Sequence, residues 1–273
     1  MTSRLRALRL LHPFPSTLNA SLVLAIAVVA GAELISAIAL AVGMLGIQFC
    51  IGATNVVVDV RLDSVNKSWK PIPAGLVSAR VAIGVAVLSG AVGLLAAATQ
   101  GLVPAILAIA MLGCGLLYDL RLKPTAWAWA CFSVAFALLP VYAWFGASGS
   151  MPPLPGLLIP LAALAGPALQ LSNGLVDLED DAASGLRTLA TRLGRRRTVM
   201  AIAVLIVTIH GVAWATLSAT VGGISGLVAA ASIVAAAGLV LQTRRDGRSR
   251  AVGWSLQATG IALLGLGWLA AVA

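Results

Sequence analysis

The sequence predicts an all-α membrane protein of about nine transmembrane helices, arranged as two four-helix units plus a ninth helix. Three observations carry this. Of 273 residues, 60% are hydrophobic and 10% charged, with a mean hydropathy of +1.02, whereas soluble domains carry about 25% charged residues. So few polar side chains cannot coat a globule, and the apolar surface must face lipid. All 18 Lys and Arg residues fall in five short segments, separated by apolar stretches each long enough for two crossings. Two acidic blocks of the same pattern recur with four expected helices between them.

A helix rises 1.5 Å per residue and needs roughly 20 residues to cross the hydrocarbon core. On that ruler the spans fall near 15–33, 35–58, 79–99, 102–118, 125–147, 154–177, 198–219, 223–242 and 251–272. The first opens after the His12, Pro13, Pro15 break and closes at Gly31, Ala32 and Glu33. The second and sixth end in the acidic blocks. The turns near Gln100 and Thr220 and the Gly146–Gly156 loop separate the remaining hairpins. The sequence is read as one domain over 1–273, with pseudo-repeats at about 14–123 and 124–242.

Charge placement tests this layout, because basic residues gather in cytoplasmic loops. The segments Arg4–Arg9, Arg61–Arg80, Arg121 with Lys123, Arg187–Arg197 and Arg244–Arg250 hold three, four, two, five and four basic residues, which accounts for all 18. With nine spans and the N-terminus inside, every one is cytoplasmic and the C-terminus lies outside. The formal charge of +9 therefore reads as topology, and no nucleic-acid partner is expected. Cys50, Cys114 and Cys131 stand alone in apolar stretches and read as small packing residues. The basic N-terminal stretch lacks a small-residue cleavage site, so no removable signal is expected.

Six of the nine acidic residues lie in the two blocks, NVVVDVRLD and NGLVDLEDD. These give Asn55, Asp59 and Asp63, and then Asn173, Asp177 and Asp181, each position recurring 118 residues later. Four helical residues advance about 40° past a full turn, so i, i+4 and i+8 share a face. Each block thus presents an amide and two carboxylates in a column at the cytoplasmic end of a span. Clustered carboxylates near hydrocarbon need a positive neighbour. Hard oxygen ligands suit Mg²⁺, which keeps waters and bridges to phosphates. The expected ligands of Mg²⁺ are Asn55, Asp59, Asp63, Asn173, Asp177 and Asp181, and the expected substrate is a diphosphate. Lys67, Lys123 and Arg187 are the expected phosphate contacts, with Tyr118 and Arg192 nearby. Asp119 is a candidate to accept or orient an acceptor proton, or else a partner of Arg121 or Lys123. His210 falls mid-span and is expected to bond a backbone group or hydroxyl; His12 ends the entry segment. Gly222 and Gly223 are read as close-packing positions.

These residues resemble the UbiA superfamily of intramembrane prenyltransferases. Its first motif, N-D-x-x-D-x-x-x-D followed by a basic residue and R-P-x-P-x-G, is matched by NVVVDVRLD, Lys67 and KPIPAG from Lys70 to Gly75. Its second motif is matched by DLEDDAASGLRTLATRLG, and its tyrosine-lysine loop by YDLRLK. Val56 stands where many members carry an aspartate, and Lys123 follows Tyr118 by five positions, not four. The resemblance implies helices around a central pocket and Mg²⁺-assisted transfer of a prenyl group from an isoprenyl diphosphate to a lipophilic or aromatic acceptor. It implies catalytic roles for Asp59, Asp63, Asp177, Asp181, Lys123 and Asp119. A terpene cyclase would use the same metal site without a second substrate. A lipid or small-molecule transporter with duplicated gates fits less well, since the acidic residues gather at the cytoplasmic ends and not at mid-membrane.

Overall fold

The computed structural model describes residues 6–152, 155–217 and 222–272, with backbone alone at 155, 222–225 and 272, and every regular element among them is helical. Arg4, the turn near Thr220 and residues 153–154 of the Gly146–Gly156 loop lie outside the described residues. After a 3₁₀ turn at Leu8–Leu11 come α1 (Pro13–Val29), α2 (Leu34–Val58), the short α3 (Val60–Asn66), α4 (Ala79–Ala98), α5 (Leu102–Leu117) and a π-helical turn at Tyr118–Leu122. Then follow α6 (Ala128–Ser148), α7 (Pro155–Val176), the short α8 (Leu178–Ala183), α9 (Leu189–Thr216), α10 (Gly222–Gln242) and α11 (Gly247–Val272).

Seven of the described helices are long and apolar enough to cross a membrane, and Pro13–Val29 and Gly226–Gln242 are shorter apolar helices at the lower limit of the crossing range. In the span Leu102–Leu122 only 22% of the most apolar window is buried. Leu102, Ile106 and Ile109 point outward there. Water would penalise such surface at about 25 cal/mol per Å², whereas lipid tails are as apolar as leucine. The chain is an integral, multi-pass helical membrane protein.

The largest departure from the expected boundaries is at α9. Helix α9 begins at Leu189, inside the basic run, and not near 198. Thr188 caps it by accepting the Thr191 N–H at 3.2 Å. Gly194, at φ 71° and ψ 165°, then breaks the helix, a conformation glycine adopts without steric cost.

The chain forms two compact units, Met1–Arg121 with Tyr142–Gly149 and Leu122–Val141 with Ser150–Ala273. In the first, packing is organised on α2. A Cβ at Gly46 would lie 2.6 Å from Gly93 Cα on α4, so the backbones touch. The buried Tyr142 hydroxyl donates to the Leu40 carbonyl at 3.0 Å. Leu10 packs with Cys50, Ala53, Val56, Ala82 and Ala86, and Ile72 and Val77 cover this cluster. The Arg9 guanidinium sits 4.6 Å above the Trp69 ring, a cation–π contact tying the entry segment to the loop after the first acidic block.

In the second unit, α7 and α9 share a core of Leu171, Leu175, Ile202 and Ile206. Helices α10 and α11 cross with Gly238 and Gly253 in reciprocal contact, each Cβ position 2.7 Å from the other's carbonyl oxygen. Gly222 and Gly223, read from the sequence as close-packing positions, begin α10, and their contacts lie outside the described residues. His210 Nδ1 lies 2.9 Å from Ser232 Oγ, the hydroxyl contact expected of it. His12, at φ 47°, turns the chain into α1.

Candidate active site

The first acidic block spans the junction of α2 and α3. Asp59, at φ −80° and ψ −3°, caps one helix and starts the next. The backbone ladder still runs through it: Asp59 N–H bonds Asn55 O at 2.9 Å, Asp63 N–H bonds Asp59 O at 2.8 Å, and Lys67 N–H bonds Asp63 O at 2.8 Å. Asn55, Asp59, Asp63 and Lys67 therefore occupy one face, as the four-residue spacing requires. Asn55, Asp59 and Asp63 are buried, Asp63 to 3% exposure, while Lys67 is half-buried.

Two further residues enter this site. Lys70 Nζ lies 2.7 Å from Asp63 Oδ2 and 4.0 Å from Asp59 Oδ2. Sequence reasoning passed it over in favour of Lys67. The signal was the KPIPAG stretch, whose prolines and Gly75, at φ 68°, force a compact turn: Ala74 N–H bonds Lys70 O, and Leu76 N–H bonds Pro71 O, both at 2.9 Å. That turn folds Lys70 back onto the helix end. Asp119, 4% exposed, accepts a 2.7 Å hydrogen bond from Asn55 Nδ2. It sits on the π-helical turn after α5, beside half-buried Tyr118. A π-turn closes from i to i+5 and takes up one more residue than an α-turn. The extra residue between Tyr118 and Lys123 is thus accommodated in a helical turn and not in a loop.

The second block repeats this backbone. Asp177, at φ −101° and ψ 12°, stands between α7 and α8, and Asp181 N–H bonds Asp177 O at 2.8 Å. Asn173, Asp177 and Asp181 are half-buried, and Glu179 and Asp180 exposed. Glu179 is held below the usual carboxylate range by hydrogen bonds from Arg250. Beyond α8, Ala182, Gly185, Leu186, Arg187, Thr191 and Arg192 line a groove of about 520 Å³. The structure so brings Arg187 and Arg192 together. Lys123, half-buried, belongs to the second unit, as do these arginines.

Among the described residues no three His, Cys, Asp or Glu side chains converge as a ready-made metal site. Each block still fits Mg²⁺ chemically. It offers two carboxylates and an amide oxygen, and Mg²⁺ ordinarily takes one or two carboxylates and completes its shell with water and phosphate oxygens. The Asn55 amide nitrogen is committed to Asp119, so its oxygen is the atom that would serve a cation. The Lys70 ammonium against Asp59 and Asp63 stands in for the positive charge these carboxylates call for.

Comparison with known proteins adds a family. A digeranylgeranylglyceryl phosphate synthase from Pyrococcus abyssi is 31% identical over 146 residues, covering 52% of this chain and 51% of that protein. An enzyme of the same name from Methanopyrus kandleri is 36% identical over 176 residues, 58% of this chain and 61% of the relative. The chain spans about half the length of the curated relatives it matches. A UbiA homolog from Archaeoglobus fulgidus, solved bound to GPP and Mg²⁺, superposes with a TM-score of 0.70 at 20% identity, covering 95% of this chain and 99% of that one. That likeness shows a shared fold. The sequence model of the UbiA prenyltransferase family matches residues 16–271, and the chain belongs to that family.

Proposed function

We propose that this chain transfers a prenyl group from an isoprenyl diphosphate to a lipophilic or aromatic acceptor within the membrane, using Mg²⁺. The observation that carries this reading is the column of one amide and two carboxylates, present twice with the middle aspartate at a helix junction each time. The A. fulgidus homolog bound to GPP and Mg²⁺, and its form bound to DMAPP and Mg²⁺, support it. The names of the curated relatives favour a lipid acceptor over an aromatic one.

In this mechanism Asp59, Asp63, Asp177 and Asp181 would hold the metal, with help from Asn55 and Asn173. Bound Mg²⁺ supplies neutralisation of the charge that grows on the departing diphosphate. Lys67, Lys123, Arg187 and Arg192 contact its phosphate oxygens, and Tyr118 contacts the substrate beside them. The allylic C–O bond breaks, its electron pair leaves with diphosphate, and the carbocation is kept from water by apolar helix walls. The acceptor nucleophile then forms the new bond, and its proton passes to the released diphosphate. Asp119 acts on the site through the Asn55 amide it holds. Nine crossings, grouped as two four-helix units and a ninth helix around a central pocket, place the N-terminus and the site on the cytoplasmic face and the C-terminus outside.

The test is to incubate purified protein in detergent with Mg²⁺ and farnesyl or geranylgeranyl diphosphate, with and without lipid and phenolic acceptors, and to follow diphosphate release. Asp59→Ala and Asp177→Ala should each lower release by about 10²-fold or more. A prenylated adduct supports transfer, and a hydrocarbon or terpene alcohol replaces it with cyclisation. Absence of release with every donor overturns the proposal.

A further inference from the structure

Resting on that functional reading, we infer that Arg250 is a positioning residue: from the first turn of α11 it holds α8, and with it Asp177 and Asp181, in the geometry that binds metal and diphosphate. In the sequence Arg250 is one of four basic residues in a run whose evident task is topology, a task that needs only a solvated charge. The structure gives it something else. Arg250 is 3% exposed, and its guanidinium grips Glu179 with both ends, Nη1 to Oε1 at 3.0 Å and Nη2 to Oε2. A planar fork meeting both oxygens of a carboxylate fixes orientation as well as distance.

Glu179 lies between Asp177 and Asp181 on a six-residue helix, too short to hold its shape unaided. Its side chain remains 61% exposed, so Glu179 has no need of the pair to escape burial. The desolvation falls on Arg250, and what it secures is the placement of α8.

The base of α11 is itself anchored. Asp246 Oδ1 accepts the Ser249 N–H at 2.7 Å and caps the helix. Gln242, fully buried, reaches with Nε2 to within 3.4 Å of the carbonyls of both Ser172 and Arg250. Ser172, the neighbour of Asn173, donates its hydroxyl to the buried Gln257. At Gly247 a Cβ would meet Val176 O at 3.7 Å, so α11 starts against the end of α7. The last turn of α7, the whole of α8 and the first turn of α11 therefore form one braced corner, and Arg250 links the part that carries Asp181.

The experiment compares wild type with Arg250→Met, Arg250→Lys and Glu179→Gln in the purified full chain. Loss of Arg250 leaves Glu179 exposed to water, so Arg250→Met should fold; Glu179→Gln, which keeps shape and a single acceptor, is the milder second variant. Hydrogen exchange is read without ligand in residues 177–186, where the Asp181 and Ser184 amides are bonded, and again with Mg²⁺ added. Arg250→Met should raise exchange there about tenfold with α10 unchanged. It should also raise the Mg²⁺ concentration for half-maximal diphosphate release by about tenfold, the lower end of what supporting residues cost a metal site, with a smaller change at saturating Mg²⁺. Arg250→Lys, keeping charge without the fork, should fall between. Unchanged exchange in 177–186, loosening spread evenly over the protein, or a slower reaction at an unaltered Mg²⁺ requirement overturns the inference. A wild type that releases no diphosphate defeats the transfer reading alone, and Arg250 is then judged by exchange and by Mg²⁺-induced protection of 177–186.

Discussion

The side-chain amide of Asn55 donates a 2.7 Å hydrogen bond to the carboxylate of Asp119, 64 residues further along the chain and buried with it. A primary amide can turn either end toward a ligand. With the nitrogen given to Asp119, its oxygen is the end left to meet a cation. On the proposed reading, Asp119 stands behind a metal ligand and sets that ligand's orientation.

Asp119→Ala should therefore weaken metal use without removing a ligand. The expected outcome is a rise of about 10- to 100-fold in the Mg²⁺ needed for diphosphate release. Asp119→Asn should be milder, since its amide oxygen can still accept from Asn55. Mg²⁺ titrations of the three proteins check this, and a loss in Asp119→Ala that saturating Mg²⁺ leaves untouched would assign Asp119 to the chemistry itself.

Lys70 gives a second prediction. The Lys70 side chain is 15% exposed and that of Asp63 4%, so the pair is largely, though not wholly, withdrawn from water. Lys70→Met should cost about 3 kcal/mol, because it strands a carboxylate away from water. Mg²⁺ can replace the missing charge. The thermal midpoint of Lys70→Met should accordingly fall below wild type in metal-free buffer and gain more than wild type when Mg²⁺ is added. Equal Mg²⁺-induced gains in both proteins would show that metal and ammonium do not share this carboxylate pair.

Glu179 supplies the pH dependence. Its carboxyl is lowered first by its hydrogen bonds from Arg250, with Arg195 adding a weaker attraction. A group whose folded pKa lies below its unfolded value stabilises the protein above the unfolded pKa, and that contribution is lost as pH falls through the folded one. At neutral pH the pair is intact. Acidification through and below the usual carboxylate range should make the thermal midpoints of wild type and Glu179→Gln converge. Glu179 is largely exposed, so solvent screens the effect and it should be small. A gap that stays constant on acidification would detach the difference from the charge on Glu179.

The acidic columns were legible in the sequence because a four-residue spacing maps directly onto one helical face, and Asn55, Asp59, Asp63 and Lys67 fall on it. The apolar helices were legible from hydropathy and charge placement; their packing was not. Lys70 was noticed beside Lys67 but not chosen, because its approach to Asp63 depends on a turn built by two prolines and Gly75, whose path no periodicity encodes. Arg250 was hidden for another reason. A basic residue at the end of a span satisfies the topology rule whether solvated or buried, and only the fold distinguishes the two. The start of α9 inside a basic run likewise depends on a cap at Thr188 and a break at Gly194, local signals outweighed by the charge of Arg195, Arg196 and Arg197.

The crossing of α2 and α4 yields a final prediction, on stability. At Gly46 an added Cβ would sit 2.6 Å from Gly93 Cα and from Ser89 O, and at Gly93 it would sit 2.8 Å from Gly43 O. These neighbours are backbone atoms, which cannot rotate aside, so a methyl group must push the helices apart. Overpacking of this kind costs about 1–3 kcal/mol. Gly84 on the same α4 is the control, since an added Cβ there meets nothing within 4 Å, and alanine is the better helix former. Gly46→Ala and Gly93→Ala should lower the thermal midpoint in detergent, while Gly84→Ala should leave it level or raise it slightly. Because α2 carries Asn55 at its far end, Gly46→Ala should also lower diphosphate release at saturating Mg²⁺. If all three variants melt together with wild type, α2 and α4 are not in backbone contact, and the placement of Asn55 rests on other packing.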